Sequence, residues 1–173
     1  MHRIKIHQGK VATLNVDIIV SCYSQSTAVE MLAMASGDGL IPLRVGDVQI
    51  VANMNKDLSK DLSKDLSKDL SKETDKIFIE AIGPRWRGGD YQEELHLASC
   101  YSKAMGLAKQ YNVRSIAFTP ISCGPLGFPA NRAIKVAIQQ IKLGLQRNPL
   151  IESVVFCCFD PVTTALYRSR LGK

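Results

Sequence analysis

The residues best placed to do chemistry are those of Thr119–Pro129, TPISCGPLGFP, which join an apolar run to a helix-forming one. Gly124 and Gly127 carry no side chains, so backbone N–H groups there can close around an anion. Ser122 adds a hydroxyl donor, and Pro129 suits the first turn of a helix. A helix starting near Ala130 aims its positive end at the same place. Strand, glycine loop and helix start together predict a phosphate-cradling loop. The plainer alternative is an ordinary β–α turn whose glycines serve only its geometry.

Other groups carry weaker signals. Cys123 sits at a helix start, where a thiol pKa can fall, but the loop has no arginine of the kind that serves cysteine-dependent phosphatases, and no histidine is near in sequence. Packing is the preferred role. His96 and Cys100 stand four apart on one predicted helix, a spacing metals use, yet two further ligands are lacking. Arg85-Trp86-Arg87-Gly88-Gly89 mixes cations with an indole, as single-stranded nucleic-acid sites do. Burial of Trp86 is the preferred reading.

The elements that must position this loop follow from periodicity. Arg3–His7 alternates and predicts a strand, and Val16–Tyr23 is continuously apolar and β-branched, as in a strand buried on both faces. A helix is expected over Thr27–Ser36, ending before Gly37. Further strands are expected at Asp47–Ala52, Ile77–Gly83, Ser115–Pro120 and Val154–Phe159. Helices are expected at Glu93–Tyr111, Ala130–Gln146 and Val162–Leu171. Strands alternating with helices imply a sheet covered on both faces, with ligands where loops leave the carboxyl ends of the strands. One block breaks the pattern. Lys56–Lys72 repeats the tetrad KDLS four times. Its leucine stripe drifts by about 40° per repeat around a helix, so the block reads as a surface insertion within a single domain of residues 1–173, helical or partly disordered.

A chain of 173 residues with 46% hydrophobic residues can bury one sizeable core. The net charge of +6 favours anionic partners such as nucleotides or nucleic acids, though a solvated basic surface is the plainer explanation. Five cysteines without a C-x-x-C motif read as reduced thiols in a cytoplasmic or nuclear protein, and neither disulfides nor a zinc site is expected. The polar N-terminus does not read as a signal peptide, and no apolar run reaches membrane-spanning length.

Taken along the chain, these residues resemble a macro domain. ISCGPLGFP at Ile121–Pro129 is similar to that family's second ligand loop, I-S-T-G-x-[YF]-G-F-P. Gln8-Gly9-Lys10-Val11 resembles its Q-G-D-[IV], Val16–Val20 its V-D-A-I-V, and Ile82–Trp86 its V-G-P-x-W. The resemblance extends over nearly the whole chain and implies a three-layer α/β/α sandwich with a mixed central sheet that binds ADP-ribose, free or on proteins. It further implies that Ser122, Cys123, Gly124, Pro125, Leu126 and Gly127 wrap the diphosphate, mainly through backbone amides. Phe128 would flank the distal ribose, Phe159 stack near adenine with Asp160 at the rim, and the Val11 N–H meet the adenine edge. No cofactor, metal or membrane is implied.

Three departures from the family pattern bear on function. Lys10 replaces an aspartate that accepts from the adenine amino group, and an ammonium has no lone pair to offer. Ser21-Cys22-Tyr23-Ser24 stands for N-A-A-N, so Ser24 takes the place of the asparagine at the distal ribose. The first glycine-rich loop, which also supplies a catalytic aspartate in one branch of hydrolases, is absent between Gln25 and Ser36. The expectation is a non-catalytic reader of ADP-ribose or ADP-ribosylated protein with a weakened pocket and no catalytic residue. Two alternatives stand beside it: an interaction scaffold that meets RNA or poly(A) through its basic surface, and a residual ADP-ribosyl hydrolase.

Overall fold

The computed structural model describes residues 2–22, 44–53 and 76–172. Among the described residues six strands form one sheet: β1 Ile4–Gln8, β2 Ile18–Cys22, β3 Val48–Asn53, β4 Ile77–Ala81, β5 Ser115–Phe118 and β6 Ser153–Cys158. Their order is β1-β6-β5-β2-β4-β3. All neighbours run parallel except β3, which is antiparallel to β4 at the edge with an irregularity between Ile50 and Ala52. Three helices follow the later strands: α1 Glu93–Gln110, α2 Ala130–Arg147 and α3 Pro161–Leu171.

The two-residue alternation of the strands divides the core. Ile18, Val20, Ile79, Ile116, Phe118 and Phe156 point to one face and join Leu97, Tyr101, Ile134, Ile141 and Tyr167 of the three helices in one cluster. The opposite face carries a smaller cluster of Val16, Ile19, Ala117 and Val155, with Leu14 and Phe78 against it. Apolar side chains on both faces of a mixed sheet fit the three-layer α/β/α sandwich. In α2, Ile134, Ala137, Ile138, Ile141 and Leu145 recur at helical spacing and are all buried. Gly144 lets α2 approach α1 closely, since a Cβ there would fall 2.8 Å from Met105 Cε. The helix α1 closes with Asn112 at φ 53°, and the Val113 N–H reaches back to the Ala108 carbonyl at 3.1 Å.

Expected and observed elements differ mainly at their ends, for identifiable reasons. The strand expected from Val16 begins at Ile18, because Asp17 is a cross-link: its Oδ2 accepts from Arg114 N (2.9 Å), Ser115 N (2.8 Å) and Ser115 Oγ (2.8 Å). β5 stops at Phe118, just before Thr119 and Pro120, and Pro120 has no N–H for the ladder. β6 stops at Cys158, and Phe159 leaves the sheet for solvent. The helix expected over Thr27–Ser36 and the repeat at Lys56–Lys72 lie outside the described residues, as do Tyr23 and Ser24.

Candidate functional site

Parallel strand order brings the predicted segments together. β1, β6 and β5 are consecutive, so the turns that leave their carboxyl ends are neighbours. Two contacts fasten the first pair: Gly9 N donates to the Cys158 carbonyl (3.0 Å) and the Cys157 thiol to the Gly9 carbonyl (3.3 Å). Val11 then opens a 3-10 turn, Val11–Thr13, whose first N–H has no acceptor inside the turn. Lys10 is exposed and its side chain stands in solvent. Phe159 is 63% exposed and offers a flat ring at the rim. Asp160 is also exposed, but its carboxylate caps α3, accepting from Thr163 N at 2.7 Å, and this hydrogen bond holds its pKa below the usual range.

The loop after β5 is built by its own hydrogen bonds. Gly127 N donates to the Gly124 carbonyl (2.9 Å) and Phe128 N to the Ser122 carbonyl (3.0 Å). Ser122 adopts a left-handed φ of 64° and Gly127 one of 71°. Ser122 N is turned inward and donates to Cys22 Sγ at 3.4 Å. Three amides are left: among the described residues Cys123, Gly124 and Leu126 N–H have no protein acceptor. A Cβ built on Gly124 meets nothing within 4 Å, so the space beside these amides is open. The helix α2 follows at once from Pro129, with Arg132 N and Ala133 N both donating to the Pro129 carbonyl at 3.0 Å.

This geometry corrects several expectations about donors. Ser122 is 2% exposed, and its Oγ lies beneath the loop against Gly83, where a Cβ would come within 2.2 Å of it. The hydroxyl therefore faces inward instead of toward an anion. Gly127 N is spent within the loop, and Pro125 has no N–H to give. Phe128 was expected at the ribose, yet its ring is 2% exposed and packs on Trp86 with centroids 4.8 Å apart. It supports the loop from below. Ser24 lies outside the described residues.

Burial holds the Cys123 and Cys100 thiols in the protonated form. Burial, with Cys22, Cys158 and Asp160 nearby, pushes the Cys123 thiol up to about 12, so it stays protonated at neutral pH. Cys100 turns its thiol to the Ile82 carbonyl (3.5 Å) and is pushed up to about 12 by burial, which removes it from any pairing with His96. Among the described residues no cluster of His, Cys, Asp or Glu has the arrangement of a metal site.

Sequence reasoning missed the second wall of the site, the β4–α1 loop. Glu93 is buried at the start of α1, and its carboxylate accepts from Arg87 N (3.0 Å), Gly89 N (3.1 Å) and Tyr91 N (2.8 Å). Burial alone raises its pKa, but these N–H groups and its own outweigh that and bring it to about 2. Trp86 N donates to the Leu126 carbonyl (2.9 Å), so this knotted loop props the glycine loop. The Arg132 guanidinium covers the Trp86 ring at 5.0 Å and pairs with Glu94 at 2.9 Å. The available signal was an acid in the first helical turn just after Gly88-Gly89, where bare backbone amides invite an acceptor.

A mixed sheet with helices after its later strands, open amides at the head of one of them and an exposed aromatic ring beside those amides define an α/β domain of the three-layer kind. The family model described as "Macro domain" matches residues 66–137. A macro domain-containing protein of Methanosarcina mazei is 30% identical over 171 residues, spanning 99% of this chain and 89% of the relative. A Klebsiella pneumoniae protein named O-acetyl-ADP-ribose deacetylase is 32% identical over 168 residues, 95% of this chain and 94% of its own. Among solved structures, the Oceanobacillus iheyensis macrodomain with ADP has a TM-score of 0.69 at 22% identity, covering 98% of this chain and 90% of its own. The Trypanosoma brucei macrodomain in complex with ADP-ribose has a TM-score of 0.70 at 19% identity, covering 98% and 69%. The chain belongs to the macro domain family.

Proposed function

We propose that this domain is a non-catalytic reader of ADP-ribose or of ADP-ribosylated protein, binding through a reduced site. The observation that carries this is the set of open amides at Cys123, Gly124 and Leu126, aimed by the start of α2 and placed one strand away from the exposed Phe159 ring. Such amides hold a diphosphate without any side-chain charge. Likeness to macrodomains solved with ADP and ADP-ribose supports the choice of ligand. Weak affinity follows from the sequence. The first glycine loop is absent and Lys10 offers no acceptor to adenine. Loss of catalysis follows from Ser24 in place of asparagine and from the lack of any aspartate between Gln25 and Ser36. A reduced cytoplasmic or nuclear setting suits five free thiols. Calorimetric titration with ADP-ribose tests the reading: saturable binding in the micromolar to millimolar range is expected, and no heat at millimolar ligand rejects it.

The Klebsiella pneumoniae relative's name favours a second reading, an O-acetyl-ADP-ribose deacetylase, and a residual ADP-ribosyl hydrolase stands beside it. Water attack at an acyl or anomeric carbon needs a base positioned on that water. Cys123, protonated at neutral pH, does not supply one. Overnight incubation with O-acetyl-ADP-ribose and with mono-ADP-ribosylated protein separates the two readings. Product no greater than in a protein-free control is expected, and clear turnover establishes the enzyme.

A further inference from the structure

We propose that the domain carries a second ligand pocket, on the sheet face opposite α1, α2 and α3, and that it takes a small carboxylate with a short apolar body. This goes beyond the nucleotide reading and does not depend on it. A pocket of about 340 Å³ opens on that face, and every residue lining it is among those described. Its size is at the lower end of small-molecule sites. Strand alternation builds it. Lys5 and His7 of β1 stand opposite Val155 and Cys157 of β6, so their side chains share one face with Val155 and with Ser153 two residues before it. Val16 and Val155, both 6% exposed, form an apolar floor with the half-buried Leu14. The bare Cα of Gly9 leaves the His7 ring its place, since a Cβ there would fall 2.9 Å from Nε2.

The polar part of the lining is unspent. Among the described residues the side chains of Lys5, His7, Asn15 and Ser153 have no hydrogen-bond or ion-pair partner. The acids beside the pocket are engaged instead. Asp17 Oδ2 receives Arg114 N, Ser115 N and Ser115 Oγ, and Glu152 pairs with Arg114 at 3.2 Å. Lys76 Nζ donates to the Leu14 carbonyl at 2.9 Å and brings a further positive charge to the wall. Lys5, Lys76 and Arg114 against Asp17 and Glu152 leave these surroundings at one net positive charge before His7 is counted. One unpaired ammonium with an imidazole and a hydroxyl, set over apolar side chains, matches a singly charged carboxylate whose body covers the floor. A phosphate dianion would keep one charge without a counter-charge and lay hydrated oxygens on Val16 and Val155. A neutral ligand would forgo the charge-assisted hydrogen bond.

Sodium hexanoate, hexan-1-ol and inorganic phosphate serve as probes in NMR titrations of the intact chain. Hexanoate is expected to shift the methyl signals of Leu14, Val16 and Val155 and the ring signals of His7, and to saturate at millimolar concentration. Hexanol should bind at least about tenfold more weakly, the scale of one hydrogen bond to a charged group, and phosphate should not saturate. Lys5→Gln should weaken hexanoate by about tenfold and leave hexanol unchanged. Lys5 is exposed, so the substitution leaves the fold alone. Saturating ADP-ribose should not alter the hexanoate affinity. Shifts that never saturate, equal affinity for hexanol, tighter binding of phosphate, or a Lys5→Gln chain that binds hexanoate like the parent each overturn the proposal. Displacement of hexanoate by ADP-ribose does so too, since the probe then occupies the nucleotide site.

Discussion

The two loops that meet over the strand ends use their backbone N–H groups in opposite ways. In the β4–α1 loop the amides of Arg87, Gly89 and Tyr91 are collected by one buried carboxylate, Glu93. In the β5–α2 loop the amides of Cys123, Gly124 and Leu126 are left open. Both loops are rich in glycine, so composition alone does not tell a closed knot from a receptive cradle. The difference lies in whether the protein supplies its own anion. Glu93 is that anion for one loop, and among the described residues none plays that part for the other.

Gly124 and Gly83 sharpen this contrast. A side chain at Gly124 points into open space, whereas one at Gly83 collides with Ser122 Oγ at 2.2 Å and Ile121 Cγ2 at 3.0 Å. Gly124→Val is therefore expected to fold normally, with its methyls occupying the ligand's space. ADP-ribose affinity should fall about a hundredfold, ~2.7 kcal/mol, while the thermal midpoint stays near that of the parent chain. Titration and a melt on the same sample check it. A melt lowered in parallel with binding removes the cradle interpretation.

Gly83→Ala should do the reverse. Overpacking beneath the loop costs about 2 kcal/mol of stability, read from urea unfolding. Binding is lost only as far as the Ser122 backbone is displaced. An unchanged urea midpoint means the Ser122 hydroxyl rotates away freely and the floor of the loop is softer than described.

Much of this arrangement was legible in the residues, and the rest depended on long-range contacts. Strand, loop and helix around Ile121–Pro129 were visible because apolar runs, glycines and a proline are local signals. Which amides stay open was not. That depends on Cys22 Sγ capturing Ser122 N, a contact between residues 100 apart in sequence. Phe128 was misplaced for a similar reason: a phenylalanine beside a ligand loop reads as a ligand wall until Trp86 is seen beneath it. In the sequence Glu93 is only the first residue of an expected helix; the preceding glycines hint at an acceptor, but which three amides turn back to it depends on the folded loop.

The Glu93 knot can be loosened by acid. Its pKa is about 2 in the folded protein and near the ordinary glutamate value of about 4.5 when unfolded. A depressed folded pKa contributes stability above the unfolded value and loses it as pH falls through the folded one. Between pH ~4.5 and ~2 the parent chain should therefore lose stability through this group. Glu93→Gln should be less stable at pH 7, because an amide oxygen is a weaker acceptor than a carboxylate. Its stability should change less over the acid window. Urea unfolding at several pH values measures both slopes, and identical slopes refute the knot.

The smallest effect is expected at Glu80, which tests the same logic with its sign reversed. Glu80 stands on β4 between Ser21 and Gln49 of the neighbouring strands. Burial raises its pKa, partly countered by a hydrogen bond with the Gln49 side chain, and its Oε2 has no hydrogen-bond partner. Glu93 gathers amides that favour the charged form, whereas Glu80 sits where the charge is poorly solvated. A raised folded pKa means the unfolded chain gives up this proton first. Stability through Glu80 is thus greatest below the unfolded value and declines as pH rises through the folded one. Glu80→Gln removes the ionisation while keeping the shape, so the variant should have a slightly higher urea midpoint at pH 7 and none of that decline. A lower midpoint at pH 7 would show that the Glu80 carboxylate, like that of Glu93, is held in its charged form by the protein around it.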